Sequence, residues 1–352
     1  MAHPLQQDLD YILAQTGDLW EAIRGQAVFI TGGTGFVGTW LVESFVWANR
    51  KLDLGARAVL LTRNPDAFRA KAPEAAEHSS LRFVRGEIDS FEFPDGSFPY
   101  VIHAATQSYF GPTAARPASI FDSEVEGTRR VLDFARTHGT RRFLFTSSGA
   151  VYGKQPAGMA NIPEEYAGAP LTTDASSAYG QAKRVSEWLS VMYARQYGFA
   201  ALLPRLFAFA GPHLPLDLNF AIGNFLRDVL AGRPVRIQGD GTPERSYLYA
   251  ADLAIWLWTI LIRGESGRPY NVGSGVAVTI AQLARAAVDN TVPGTATEIA
   301  REAVAGMPIA RYVPAVDRAA RELGLRPVIG LEEAIRRMYA WSRESRARAI
   351  AP

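Results

Sequence analysis

The run Phe29-Ile-Thr-Gly-Gly-Thr-Gly-Phe-Val-Gly38 constrains this chain more than any other segment. It follows a short apolar stretch, Ala27-Val-Phe-Ile30, and leads into a helical pattern over Thr39–Ala48. Small residues at Gly32, Gly35 and Gly38 permit a tight turn and a close approach of the backbone to a pyrophosphate. The helix behind them offers uncommitted N–H groups and the positive end of its dipole to that anion. Strand, glycine turn and helix in this order open a βαβ unit that holds a dinucleotide.

The pattern then repeats. Apolar runs at Ala58–Leu61, Leu81–Val84, Tyr100–Ala104 and Arg142–Thr146 alternate with helical stretches, the longest over Ser119–Thr137. Short continuous apolar strands between helices predict a parallel sheet covered on both faces, a Rossmann-like doubly wound α/β fold over residues 26–210. Ligands of such a sheet sit beyond the carboxyl ends of the strands. After residue 210 glycine and proline become frequent and the alternation weakens, which predicts a smaller α/β substrate lobe over 211–352 with chain crossings allowed. Residues 1–25 carry Leu5, Leu9, Ile12, Leu13, Leu19, Trp20 and Ile23 at helical spacing and read as an N-terminal helical extension packed on the fold. A partner-binding arm is the lesser reading.

Composition excludes several classes. Lys+Arg is 37 and Asp+Glu is 35, a net +2, so no basic surface calls for nucleic acid. Cysteine is absent, which removes disulfides, thiolate nucleophiles and Cys-ligated metals. No cluster of histidines and acids has metal-ligand spacing. The first thirty residues lack a secretory pattern, and the apolar stretch Ala250–Ile262 is too short to span a bilayer, so the expectation is a cytoplasmic protein with no membrane partner.

Lysines are few: Lys51, Lys71, Lys154 and Lys183. Lys183 stands four residues after Tyr179 in Ser177-Ala-Tyr-Gly-Gln-Ala-Lys183, a spacing that places both on one helix face. An ammonium beside a phenol favours the phenolate, and such a tyrosine exchanges a proton with a substrate hydroxyl. At the end of the second strand, Leu60-Leu-Thr-Arg63-Asn64, no acid stands before Asp66. Arg63 suits the 2′-phosphate of NADP, which is therefore preferred over NAD without closing the alternative. His103 lies within an apolar strand and reads as a buried histidine bonded to backbone rather than a ligand.

The glycine segment and the Tyr179/Lys183 motif together resemble the extended short-chain dehydrogenase/reductases, the NAD-dependent epimerase/dehydratase family that acts on nucleotide sugars. The resemblance spans roughly residues 26 to 341. It is carried further by Gly86-Glu-Ile88, His103-Ala-Ala105, Ser147-Ser148 before Val151-Tyr-Gly153, Arg245-Ser-Tyr247 and Tyr270-Asn-Val-Gly273. It implies a nicotinamide domain in which Gly32, Gly35, Phe36, Val37, Gly38, Arg63, Glu87, Ile88, Ala104, Ala105, Thr106, Tyr179 and Lys183 hold the cofactor. It makes Ser148 the third catalytic member with Tyr179 and Lys183, and gives Gln107, Ser148, Asn219 and Arg245 to the nucleotide-sugar substrate. Relatives that eliminate water carry an acid pair after the catalytic hydroxyl, where this chain has Gly149 and Ala150; many 4-epimerases carry an Asn where this chain has Ala208. The resemblance thus implies a 4-ketoreductase or 4-epimerase acting at C4 of a nucleotide-activated hexose. A 4,6-dehydratase with displaced acids, such as Glu164 or Glu165, and a non-catalytic dinucleotide sensor are the alternatives. It also implies a homodimer paired through Ser119–Thr137 and Ala178–Tyr197, with Trp188, Leu189, Met192 and Tyr193 facing outward.

Overall fold

Period-2 alternation in the short apolar strands sorts their side chains into two cores. Val28, Ile30, Ala58, Leu60, Ile102, Leu144 and Leu202 face one way, and Phe29, Val59, Leu61, Val101, Phe143, Phe145, Ala201 and Leu203 the other. A strand buried on both sides needs a layer of helices on each, and that is the architecture of the computed structural model, which describes residues 3–106, 116–218 and 220–350.

The central sheet is parallel and eight-stranded. Its strands are β1 (Ala27–Thr31), β2 (Arg57–Thr62), β3 (Leu81–Arg85), β4 (Tyr100–His103), β5 (Arg142–Phe145), β6 (Ser147–Ser148), β7 (Ala200–Leu206) and, late in the sequence, β12 (Pro269–Val272). The order β12-β7-β5-β4-β1-β2-β3, with β6 also on β7, reverses direction between β1 and β4. That reversal opens a crevice at the carboxyl ends of β1 and β4. Register is fixed by pairs such as Thr31 with His103 and Ile30 with Leu60.

One face is covered by α1 (Gln6–Thr16), α2 (Phe36–Leu52) and α8 (Ala250–Arg263), whose Trp40, Phe45, Trp256 and Trp258 join the first core. The other is covered by α5 (Pro117–Thr137) and α6 (Ala178–Tyr197). Short helices α3 (Pro65–Lys71) and α4 (Pro73–Ala76) follow β2. The apolar positions expected on the N-terminal extension are inside, with Leu9 and Ile12 at 1% exposure and Ile23 at 0%. Each such burial is worth about 1.5–3 kcal/mol, so α1 is part of the core. Tyr11 donates to Asp252 (2.8 Å), Tyr249 donates to Asp8 (2.7 Å), and Arg337 pairs with Asp8 (2.5 Å).

The remaining elements gather over the carboxyl edge of the sheet. They include two short ladders, β8 (Phe209–Ala210) with β11 (Leu248–Tyr249) and β9 (Val235–Ile237) with β14 (Thr297–Ile299). A three-stranded sheet joins β13 (Val278–Thr279), β10 (Glu244–Arg245) and β15 (Arg311–Tyr312). Around them lie α7 (Ala221–Leu230), α9 (Ile280–Asp289), α10 (Asp317–Leu323) and α11 (Leu331–Ile350). Among the described residues no helix is long and apolar enough to cross a membrane.

Candidate active site

The glycine turn after β1 is shaped by contacts that leave no room for side chains. Gly32 has φ +69°, and a Cβ there would lie 2.4 Å from the backbone of Ala104 and Ala105. A Cβ on Gly38 would lie 2.1 Å from the Gly32 carbonyl, so the first turn of α2 rests directly on the loop. Gly35 is different: it is exposed, and the nearest atom to a Cβ built there is the Gly32 carbonyl at 3.4 Å. It caps α2 without any side-chain hydrogen bond, and the first turn carries no acid. The N–H groups at Phe36 and Val37 therefore face an open cradle suited to an anion, and the residues present fit the pyrophosphate of a dinucleotide.

The walls of this cradle come from the neighbouring strand ends. Ala104 donates to the Thr31 carbonyl (3.1 Å) and Ala105 to the Thr31 hydroxyl (3.3 Å), locking the segment after β4 to β1. Thr106 donates to Glu124 on α5 (2.8 Å). Ile88 packs against α5, where a Cβ on Gly127 would come within 2.9 Å of it, and Glu87 is exposed beside it. Beyond β2, Arg63 is exposed and Asn64 caps α3 by accepting from Ala67 (3.1 Å). Lys71 returns to the loop and donates to the Thr34 carbonyl (3.2 Å); burial pushes its ammonium down to about 8 against the pull of Glu43.

His103 is buried, as expected, but its partners are not backbone groups. Its ring nitrogens meet the hydroxyls of Thr31 (2.7 Å) and Thr128 (3.1 Å). Burial, with the charge of Lys183, pushes it down to about 3.

Ser148, Tyr179 and Lys183 come together where β6 ends and α6 begins. Ser148 accepts from the Ala150 N–H (3.2 Å), and Tyr179 and Lys183 stand one turn apart with the ammonium 5.7 Å from the phenol ring centre. Lys183 donates to the Thr146 carbonyl (3.0 Å), lies over the Phe145 ring (4.7 Å) and pairs with Glu124 at 2.6 Å. Burial works against its charge, but the carboxylate of Glu124, with Tyr179 and Glu187 adding, outweighs burial and holds the ammonium above the ordinary lysine value. Ser147 points the other way, donating to Glu187 (2.5 Å), which forms a fork with Arg205 (2.8 and 2.9 Å).

Three residues shaping this site escaped the sequence reading: Glu124, Phe207 and Tyr312. A Cβ on Gly149 would fall 2.6 Å from the Tyr312 hydroxyl and 2.7 Å from the Phe207 ring. Tyr312 donates to the Leu206 carbonyl (3.5 Å) and lies against Ser148, and burial holds its phenol far above the usual range. Glu164 and Glu165, the candidate displaced acids, are engaged elsewhere. Glu164 accepts from the Asn271 N–H (2.9 Å), with burial raising its carboxyl, and Glu165 pairs with Arg318. Asn271 also receives the Tyr152 hydroxyl (2.8 Å), so the Val151-Tyr-Gly153 and Tyr270-Asn-Val-Gly273 segments brace each other.

On the far side of the cleft, Arg245 donates to the carbonyls of Glu244 (2.8 Å) and Ala310 (3.3 Å), while Glu244 pairs with Arg311. Burial pushes the neighbouring Tyr247 up to about 12. Gln107 and Asn219 lie outside the described residues. Among the described residues no group of histidines and acids is placed to hold a metal ion.

Residues 28–273 match the model of the NAD dependent epimerase/dehydratase family. A dTDP-glucose 4,6-dehydratase of Streptomyces niveus is 25% identical over 338 residues, covering 91% of this chain and 94% of its own. UDP-glucuronic acid decarboxylase 6 of Arabidopsis thaliana is 26% identical over 308 residues, covering 88% and 86%. The solved structure of MoeE5 in complex with UDP-glucose and NAD is 26% identical with a TM-score of 0.75, covering 91% of this chain and 99% of that one.

Proposed function

The chain belongs to the NAD dependent epimerase/dehydratase family, and from that premise we propose that it acts at C4 of a nucleotide-activated hexose, as a 4-ketoreductase or a 4-epimerase. The wall at Gly149 carries this reading. Elimination of water needs an acid and a base beside the sugar, and the place where such a side chain would project is filled by Phe207 and Tyr312. Hydride transfer needs only what is present. Ser148 and Tyr179 hydrogen-bond the reacting oxygen, Tyr179 gives or takes its proton, and Lys183 holds a positive charge beside the phenol. The nicotinamide, when bound, supplies or accepts the hydride.

In this proposal Gly32, Gly35, Phe36, Val37 and Gly38 hold the pyrophosphate. Glu87, Ile88, Ala104, Ala105 and Thr106 border the rest of the dinucleotide. Arg63 favours NADP over NAD, whereas MoeE5 was solved with NAD. Arg245 reaches the substrate diphosphate, with Gln107 and Asn219 contributing from outside the described residues. Residues 26–210 form the dinucleotide part and 211–352 the substrate lobe, from which β12 returns to the sheet.

Incubated with dTDP-, UDP-, GDP- and CDP-hexoses, the protein is expected to release no 4-keto-6-deoxy product. It should instead consume a 4-keto nucleotide sugar with NADPH, or invert a hexose at C4. The ultraviolet signal that 4-keto-6-deoxy sugars develop in base, if seen in the first incubation, overturns the reading in favour of a dehydratase. A fully inert panel, with cofactor still bound, favours the non-catalytic sensor.

A further inference from the structure

Glu124 sits in the buried stripe of α5, where the pattern Ile120, Glu124, Thr128, Val131, Ala135 otherwise supplies apolar or hydroxyl side chains. Its carboxylate and the Lys183 ammonium are 2.6 Å apart, each with 1% of the side chain exposed. Taking two charges this deep out of water is expensive, and removing either one would leave the other buried and unpaired. The position is also closely built. The second carboxylate oxygen accepts from Thr106 (2.8 Å), and the main-chain carbonyl of Glu124 accepts from Thr128 (2.7 Å) and from Ser186 on α6 (3.5 Å).

The surroundings leave Glu124 as the carboxylate that acts directly on this lysine. From α6 itself Lys183 faces Tyr179 and Glu187, but Glu187 is forked to Arg205. From β5 it faces the Phe145 ring, and from β4 the neutral His103. Tyr179 in turn faces Tyr312 on β15, whose phenol stays protonated.

We propose that Glu124 is a positioning residue for the tyrosine–lysine pair, cancelling much of the lysine charge felt at the Tyr179 phenol and so keeping the tyrosine a proton donor. The proposal rests on the hydride-transfer reading above and deepens it, because a donor tyrosine favours net reduction of a keto sugar. When the C4 carbonyl carbon receives a hydride, the carbonyl π pair moves to oxygen, and that oxygen takes the Tyr179 proton. An alcohol and a phenolate result, and a proton from solvent restores the phenol; a reduced nicotinamide dinucleotide is the co-reactant oxidised.

The test is a titration of tyrosinate absorbance in cofactor-free protein, with the Tyr179→Phe variant subtracted to isolate one of 13 tyrosines. Glu124→Gln keeps the shape but removes the charge. With Lys183 still charged, the midpoint should fall by about one pH unit, because the ammonium 5.7 Å from the Tyr179 ring centre is no longer offset by the carboxylate. The alkaline limb of keto-sugar reduction with NADPH should move down by the same amount. Glu124→Asp, which keeps the charge but withdraws it by one methylene, should move both midpoints the same way by less, and serves where the Gln variant does not fold. Midpoints that stay put in a folded variant while turnover falls at every pH overturn the proposal, since that is what a merely structural acid would do. The titration needs no substrate, so failure of every keto sugar to turn over would sink the reaction assigned above and leave this result readable.

Discussion

Around the end of β2, each side chain that approaches the glycine loop is neutral or cationic. Thr62 meets Thr34 (3.5 Å between hydroxyls), Asn64 is occupied by α3, Lys71 rests on the loop carbonyls, and Arg63 reaches into solvent. Among the described residues at this strand end, none of those named accepts a hydrogen bond from a ribose 2′-hydroxyl as an acid would, whereas a 2′-phosphate would meet an arginine fork. Calorimetric titration should therefore show NADPH binding more tightly than NADH, and Arg63→Ala should erase a difference of about tenfold, the scale of one charged hydrogen bond. Equal affinities in the unmodified protein would reduce Arg63 to a surface charge. Residues read by local spacing, such as Gly32, Gly38, Tyr179 and Lys183, were legible because loop and helix geometry act over a few positions. Phe207 and Tyr312 were not, since their bearing on Gly149 depends on strands brought in from far along the chain. Glu124 had a local signal, an acid in the inward stripe of a predicted helix, that the reading passed over.

Helix α6 spans the residues its pattern predicted, but two of its side chains were misassigned. Leu189 and Tyr193 were expected to point outward; they are 2% and 8% exposed and pack inward, Tyr193 reaching Asp133 on α5 (3.3 Å). They continue the stripe of Ala182 and Ser186, both buried, at helical spacing. Trp188, one residue off that stripe, is 63% exposed, an unusual setting for a side chain of its size. In the homodimer that the resemblance implies, α5 and α6 of two copies would pair and cover Trp188. Light scattering at micromolar concentration should give a dimer, and Trp188→Asp should give a folded monomer, because the charge would be stranded in the contact. A monomeric mass for the unmodified protein would count against this pairing. The first five strands, by contrast, were found within a residue or two, since an apolar run closed by turn residues has few other ways to fold.

Across the whole molecule, two buried histidines make stability depend on acid. His103 is enclosed in the second layer, and His213 lies where α2, the turn after β8 and α11 meet, between Trp40 and Trp341. Burial first, and then nearby positive charge, pushes both down to about 3. Because the unfolded chain binds these protons at about pH 6.5 and the folded one does not, stability is full above that pH and is lost as pH falls from about 6.5 toward 3. Each histidine contributes about 1.4 kcal/mol per pH unit in that window. Urea unfolding of His213→Asn, a residue that tolerates the local φ of +69°, should show an acid-side slope shallower by about that amount; an unchanged slope would mean the imidazolium is accommodated. The docking of α1 has a different reach. Its polar partners Tyr249 and Asp252 lie 241 residues along the chain and Arg337 lies 329 away. During translation, then, α1 emerges long before α8 and α11, and its contacts with them form late. Until α8 and α11 have left the ribosome, Leu9 and Ile12 have α2 but not these helices beside them, and throughout that interval the nascent protein presents a greasy handle to chaperones and to its neighbours on the same polysome.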